Sequence, residues 1–121
     1  MNLNKVMMAG RLTRDPELKQ LPNGNSVTNL GFVTNRTFKS GDEKKEEATF
    51  VDVKAWGQAG ETIAKYLSKG SPIFVEGRLT LEVWESNGDK RSKLVVTLEN
   101  YKFINDGSKS KSEDKKDDLG F

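Results

Sequence analysis

One stretch, GQAGETIAKYLSKG at positions 57–70, interrupts a chain that otherwise reads as strands and turns. Ala59, Ile63, Tyr66 and Leu67 fall on one face of a helix there, lysines crowd the last turn, and Gly70 stands where a C-cap belongs. Five extended segments rich in β-branched residues surround it, running approximately from Asn4 to Leu12, Ser26 to Arg36, Ala48 to Trp56, Pro72 to Trp84 and Lys90 to Ile104. Turn signals separate several of them: Pro22-Asn23-Gly24, Ser40-Gly41-Asp42 and Asn87-Gly88-Asp89. Asn-Gly between extended runs marks a hairpin. The element order is therefore β-β-β-α-β-β.

That order is the one expected of an OB-fold: an all-β, five-stranded Greek-key barrel with one short helix between strands 3 and 4, whose exposed face binds oligonucleotides or oligosaccharides. The 121 residues, 34% of them hydrophobic, suffice for one small domain with one core. From Asn105 the chain reads NDGSKSKSEDKKDD, which offers no apolar side chain to offset the entropy of ordering it. The expected organisation is thus an OB domain over 1–104 and a flexible, disordered charged tail over 105–121. A mean hydropathy of −0.70 agrees with an unfolded portion. The tail takes four of the 20 basic and five of the 18 acidic residues, leaving 16 against 13 in Met1 to Ile104. The domain is mildly basic.

The chain has no cysteine and no histidine, so disulfides, thiolate ligands and the commonest acid-base group are missing. No GxxxxGK[ST] phosphate loop occurs, and the glycines are scattered as turn and bulge residues. Asp42-Glu43 and Glu46-Glu47 lie in a lysine-rich turn and read as solvated charges. With no catalytic constellation, no metal site and no cofactor motif, the expectation is a binding protein and not an enzyme. The start, MNLNKVMMAGRLTRD, lacks a long apolar run, and no segment approaches the roughly 20 apolar residues of a membrane span. A cytoplasmic protein without membrane contact is expected.

The strands point to what is bound. In FVDVKAW, Val51, Val53 and Ala55 alternate with Phe50, Asp52, Lys54 and Trp56, and small aliphatics go inward in a half-buried strand. Both large rings are then left outside beside Lys54. GRLTLEVW repeats the arrangement, with Leu79, Leu81 and Val83 on one side and Arg78, Thr80, Glu82 and Trp84 on the other. Exposed rings interleaved with cations suit single-stranded nucleic acid, where bases stack and basic side chains follow the phosphates. Carbohydrate platforms also use exposed rings, and rings can pack under loops or in subunit interfaces. Asp52 and Glu82 on the same face oppose phosphate binding locally. Val6, Met7 and Met8, and Leu94, Val95 and Val96, are apolar on both faces, so either a second copy or the helix or a loop must cover the outer side.

NKVMMAGRLTRDPELKQLPNG, TFVDVKAWGQAGETIAKYLSKGSPIFVEGRL and the closing DDLGF together resemble the bacterial-type single-stranded DNA-binding proteins over essentially the whole chain. The N-K-V…G-R-L…D-P-E opening, Y-L-x-K-G-S, V-E-G-R-L and an acidic tip ending in phenylalanine are specific in combination. The resemblance implies a non-enzymatic OB-fold, usually a homotetramer, that wraps single-stranded DNA without sequence preference in the cytoplasm, at the nucleoid. By motif, the stacking aromatics are Phe38, Phe50, Trp56 and Trp84. The phosphate-contacting cations are Lys5, Arg11, Lys54, Lys69 and Arg78, followed by Arg36, Lys39 and the hairpin cations Lys90 and Arg91. The acidic tip, Asp117, Asp118, Leu119, Gly120 and Phe121, corresponds to the segment that recruits replication, recombination and repair proteins, with Phe121 filling an apolar pocket and the carboxylates meeting a basic rim. Thr80 and Glu82 depart from strand-four positions that are often basic in the family, Gly120 stands where proline is common, and the linker after Ile104 is short. Glu82 and the low net charge favour a competing reading, an OB-fold protein-interaction accessory subunit of a replication-restart complex with weak nucleic-acid binding.

Overall fold

Asn87 and Gly88 both take positive φ, 54° and 84°, and the flanking Ser86 and Asp89 pair directly across the ladder. This two-residue turn matches the twist of its strands and folds the chain's longest hairpin back on itself. It joins the last two strands of a computed structural model that describes residues 1–104. The elements are β1 (Val6–Leu12), β2 (Glu17–Gln20), β3 (Ser26–Ser40), β4 (Glu43–Trp56), α1 (Gln58–Tyr66), β5 (Pro72–Ser86) and β6 (Asp89–Phe103). Strand order is β1-β5-β6-β4-β3, and β1 pairs again with β3, so the sheet closes into a five-stranded barrel. The all-β OB architecture expected from the sequence is present, with α1 between the third and fourth of the five long strands.

The barrel interior is filled by one row from each strand: Leu12, Leu30 and Phe32, Val53 and Ala55, Ile73 and Val75, Val96 and Leu98. The helix plugs one end. Ile63 and Leu67 are buried, and Ala59 and Tyr66 pack against the same cluster, as the helical face read from the sequence requires. Gly60 is buried so closely that a Cβ there would lie 2.4 Å from the carbonyl oxygen of Ala55 and 2.6 Å from the Thr28 hydroxyl.

Several boundaries differ from the sequence reading. β2 is an additional strand whose four residues are all exposed, so no alternation marks it; it pairs with Ser26 to Asn29, covering the stretch of the β3 edge that β1 does not reach. β3 and β4 extend well past Arg36 and before Ala48 into a polar two-stranded arm, held in register from Val27↔Trp56 to Ser40↔Glu43. The helix ends at Tyr66 and not near Gly70. The Leu67 N–H still bonds to the Ile63 carbonyl at 2.9 Å, but its backbone is extended (φ −114°, ψ 158°), which drives the Leu67 side chain into the core. Gly70, at φ +91°, instead lets its N–H reach the Leu12 carbonyl at 2.8 Å.

The largest difference concerns Leu79, Leu81 and Val83. Alternation along β5 holds, but this aliphatic row is exposed, as are Leu94 opposite Leu81 and Met7 on β1. Beyond Gly77 the hairpin runs past the barrel, so the face that continues the interior row has no core to enter. Asn4 serves this departing edge, donating from its side-chain amide to the Leu79 carbonyl (2.8 Å) and accepting the Leu79 N–H (2.9 Å). Among the described residues no helix is long and apolar enough to cross a membrane.

The bend that launches the hairpin is a bulge at Glu76/Gly77, where Gly77 faces Leu98 and Glu76 faces Asn100. A Cβ on Gly77 would sit 2.1 Å from the Thr97 carbonyl oxygen, a backbone atom with no room to retreat. Gly77→Ala is expected to lower stability by about 1–3 kcal/mol, the usual cost of overpacking, measured as a fall in the urea midpoint with an unchanged m value.

Candidate nucleic-acid interface

The polar row of β4 is on the outside. Phe50 is 70% exposed and Trp56 47%, while Val53 and Ala55 between them are buried. The parallel pairs Val53↔Val96 and Lys54↔Thr97, and then Arg78↔Thr97, carry the same outer side across β6 to β5. Trp84, 45% exposed, therefore shares a face with Phe50 and Trp56, together with Lys54, Arg78, Thr80, Glu82, Arg91 and Lys93. Rings of this kind are costly to leave in water unless something covers them.

Phe38 does not join this row. The uninterrupted β3–β4 register places it opposite Lys45 and on the side of Phe32 and Val51, the reverse face of the ribbon from Phe50. It lies half-buried on the arm, with the Arg36 guanidinium 4.7 Å from its ring centroid and Arg36 in turn paired with Glu47 at 3.3 Å. Three of the four expected rings thus share one outer face, and Phe38 stands apart on the arm.

The expected cations are mostly engaged. Lys54 Nζ meets Glu82 Oε2 at 2.6 Å. Lys5 meets Glu76 at 2.7 Å and Glu99 at 3.6 Å, and Arg78 meets Glu99 at 3.0 Å. Glu99 is the residue left without a cross-strand partner by the bulge, which aims its carboxylate at both cations. Arg11 donates to the Gly70 carbonyl at 2.9 Å, and Lys69 is exposed with its backbone N–H bonded to Asp15 at 2.8 Å. Lys39, Lys90 and Arg91 are exposed near the ends of the two arms. The Lys5–Glu76 bond raises the lysine pKa and lowers the glutamate's.

Two cations absent from the sequence candidates, Arg14 and Lys93, converge on Asp52. Lys93 Nζ bonds Asp52 Oδ2, and Arg14 Nη2 lies 3.6 Å from Oδ1. Arg14 follows the end of β1 and lies over β3 at Gly31, which pairs with Asp52; a Cβ on Gly31 would meet the guanidinium at 2.4 Å. Beside this trio opens a cavity of about 270 Å³ that Phe50, Thr13 and Leu94 help to line. Lys93 could have been found by extending strand alternation from Arg91; Arg14 sits in a loop, and its side chain reaches the site only through the fold.

The surface so defined is that of an OB barrel with an exposed platform of three rings flanked by cations. Residues 3–104 match the family model described as Single-strand binding protein family, and the chain belongs to that family. It is 47% identical over 103 residues to a single-stranded DNA-binding protein of Wolinella succinogenes, covering 84% of this chain and 64% of that one. The relative from Helicobacter hepaticus is 45% identical, with 84% and 61% covered, and the one from Halalkalibacterium halodurans 38% identical, with 98% and 71% covered. The chain spans about three fifths of the length of the first two. Among solved structures, a Plasmodium falciparum SSB in complex with ssDNA superposes with a TM-score of 0.78 at 25% identity, over 87% of this chain and 97% of that one. The tip residues Asp117, Asp118, Leu119, Gly120 and Phe121 lie outside the described residues.

The Lys93 hydrogen bond, reinforced by Arg14, holds the Asp52 carboxyl below the usual aspartate range against a partial burial that pushes the other way. Folded Asp52 gives up its proton more readily than unfolded Asp52, so between the two values the unfolded chain binds more protons and stability rises with pH. Any stability margin of the wild type over Asp52→Asn is accordingly full above about pH 5 and closes as the pH falls below about 4. Urea midpoints of both proteins at pH 7 and pH 3 measure it.

Proposed function

We propose that the protein binds single-stranded DNA without sequence preference and protects it during DNA replication, recombination and repair, with no catalytic step. The observation that carries this reading is the shared outer face of Phe50, Trp56 and Trp84 with Lys54 and Arg78 among them. Each base offers a π-face whatever its identity, so stacking on a ring platform gives affinity without sequence, and the cations follow the backbone. Lys5, Arg11 and Lys69 extend the phosphate path, and Phe38 with Arg36 and Lys39 supplies a further contact on the β3–β4 arm. Family membership and the likeness to an SSB solved with ssDNA support the same reading.

The exposed row of Leu79, Leu81, Val83 and Leu94 supports self-association, with a homotetramer as the first expectation. A nucleoid-associated cytoplasmic location follows from the proposed substrate. The acidic tip recruits partner proteins through Leu119 and Phe121 flanked by Asp117 and Asp118; deletion of Leu119 to Phe121 is expected to abolish capture of purified replication or repair partners while leaving oligonucleotide affinity within twofold.

The carboxylates on the platform favour a second reading, a protein-interaction subunit that touches nucleic acid weakly. Titration with oligo(dT), a matched RNA and a duplex separates the two, because both tryptophans lie on the platform. Tryptophan quenching by oligo(dT), weakened by salt and absent with duplex, is expected. Trp56→Ala and Trp84→Ala should each cost about 1–3 kcal/mol of binding in any sequence context, and parental affinity in both would overturn the platform.

A further inference from the structure

Along the outer face of β4 the order is ring, acid, cation, ring: Phe50, Asp52, Lys54, Trp56. Five residues lie between the two rings, and six strand steps put them about 20 Å apart, so a polynucleotide stacked on both passes across Asp52 and Lys54. In the free protein those positions are already paired. Lys54 holds Glu82, while Lys93 and Arg14 share Asp52. The second cluster depends on Gly31, whose missing side chain leaves the path along which Arg14 reaches Asp52. A surface ion pair of ordinary kind contributes little to stability. Two such clusters set between the rings bear instead on the ligand.

We propose that Asp52 and Glu82 act as internal stand-ins for phosphate, holding the interface cations in the free protein until the phosphodiester backbone of a single strand displaces them. The inference deepens the single-strand binding reading and rests on it. It assigns Arg14 and Lys93 as phosphate contacts that become available only after exchange. A displaced carboxylate stays tethered beside its cation and recaptures it whenever the phosphate lifts, so the exchange shortens the life of the complex. An acid that merely repelled DNA at a distance would act on the association rate. The face is therefore built for a strand that is held by stacking and released readily.

The test uses the full chain and labelled oligo(dT), with equilibrium titrations across salt and stopped-flow dissociation. Asp52→Asn and Glu82→Gln keep the shape and remove the competing charge. Each is expected to bind about three- to tenfold tighter at low salt, to dissociate more slowly by a similar factor, and to steepen the salt dependence by about 0.7 for each phosphate gained. Glu43→Gln, at the tip of the β3–β4 arm, should change neither rate by as much as twofold. In a Lys93→Gln background the gain from Asp52→Asn should shrink, because the cation it released is no longer there. Tighter binding confined to the association rate, a gain no larger than that of Glu43→Gln, or a gain undiminished without Lys93 would overturn the proposal. Should Asp52→Asn fold poorly, the same measurements on Glu82→Gln decide it. If the wild type binds and both acid variants bind identically, only the exchange mechanism falls; if wild type and variants all ignore oligo(dT), the single-strand binding reading falls with it.

Discussion

The seam between β1 and β3 is the contact on which the outer ring-bearing face depends. It consists of two register pairs, Arg11↔Val33 and Leu12↔Phe32, extended by the Thr13 N–H to the Gly31 carbonyl at 2.9 Å and the Thr34 hydroxyl to the Ala9 carbonyl at 2.8 Å. Leu12, buried at its centre, also donates its N–H to the Ser71 carbonyl at 3.0 Å and accepts from Gly70. The β3–β4 and β5–β6 hairpins are local and need no closure to pair. Closure decides which of their faces is inside. Once the seam shuts, one row from each strand must fill a single interior, and the row of Phe50, Asp52, Lys54 and Trp56 is left outside. Ring exposure is thus a consequence of barrel topology and not of the rings themselves.

What was legible in the sequence follows from this division. Val53 and Ala55 against Phe50 and Trp56 could be assigned because the small aliphatics identify the inner side wherever a strand lines the barrel. The same rule fails for Leu79, Leu81 and Val83, since alternation reports sidedness but not where a strand leaves the core. β2 and the outer half of the β3–β4 arm have no buried face, so residues such as Glu43 to Glu47 carry no periodic signal, and only the Gly41 turn and the ladder define them. Motif alone points to Phe38; its face depends on an unbroken register along the whole arm, a property of backbone pairing that no local residue encodes.

Electrostatic partners were the least legible part. Lys5 with Glu76, Lys54 with Glu82 and Arg14 with Asp52 join residues far apart in the chain. Counting charges suggests a mildly basic domain, whereas the fold pairs those charges locally: Glu99, released by the bulge, reaches both Arg78 and, alongside Glu76, Lys5. A face can therefore be rich in lysine and arginine and still present few cations without a carboxylate beside them.

In the proposed single-strand complex this arrangement shifts the burden of affinity from charge to stacking. A cation that must first leave its own carboxylate gives back part of what the phosphate supplies, because one charge-assisted bond replaces another. A ring that meets a base gives up only water. Val95 shows that the ion pairs also have a place in the fold: it is buried although its register puts it on the outer side, opposite Thr80 and flanked by Lys93, Glu82 and Thr97. The Thr80 and Thr97 hydroxyls, 2.7 Å apart, close the polar layer beside it. The Lys93–Asp52 and Lys54–Glu82 pairs thus stand on the outer side beside a buried residue, and in the proposed complex they lie where a strand would cross between the rings.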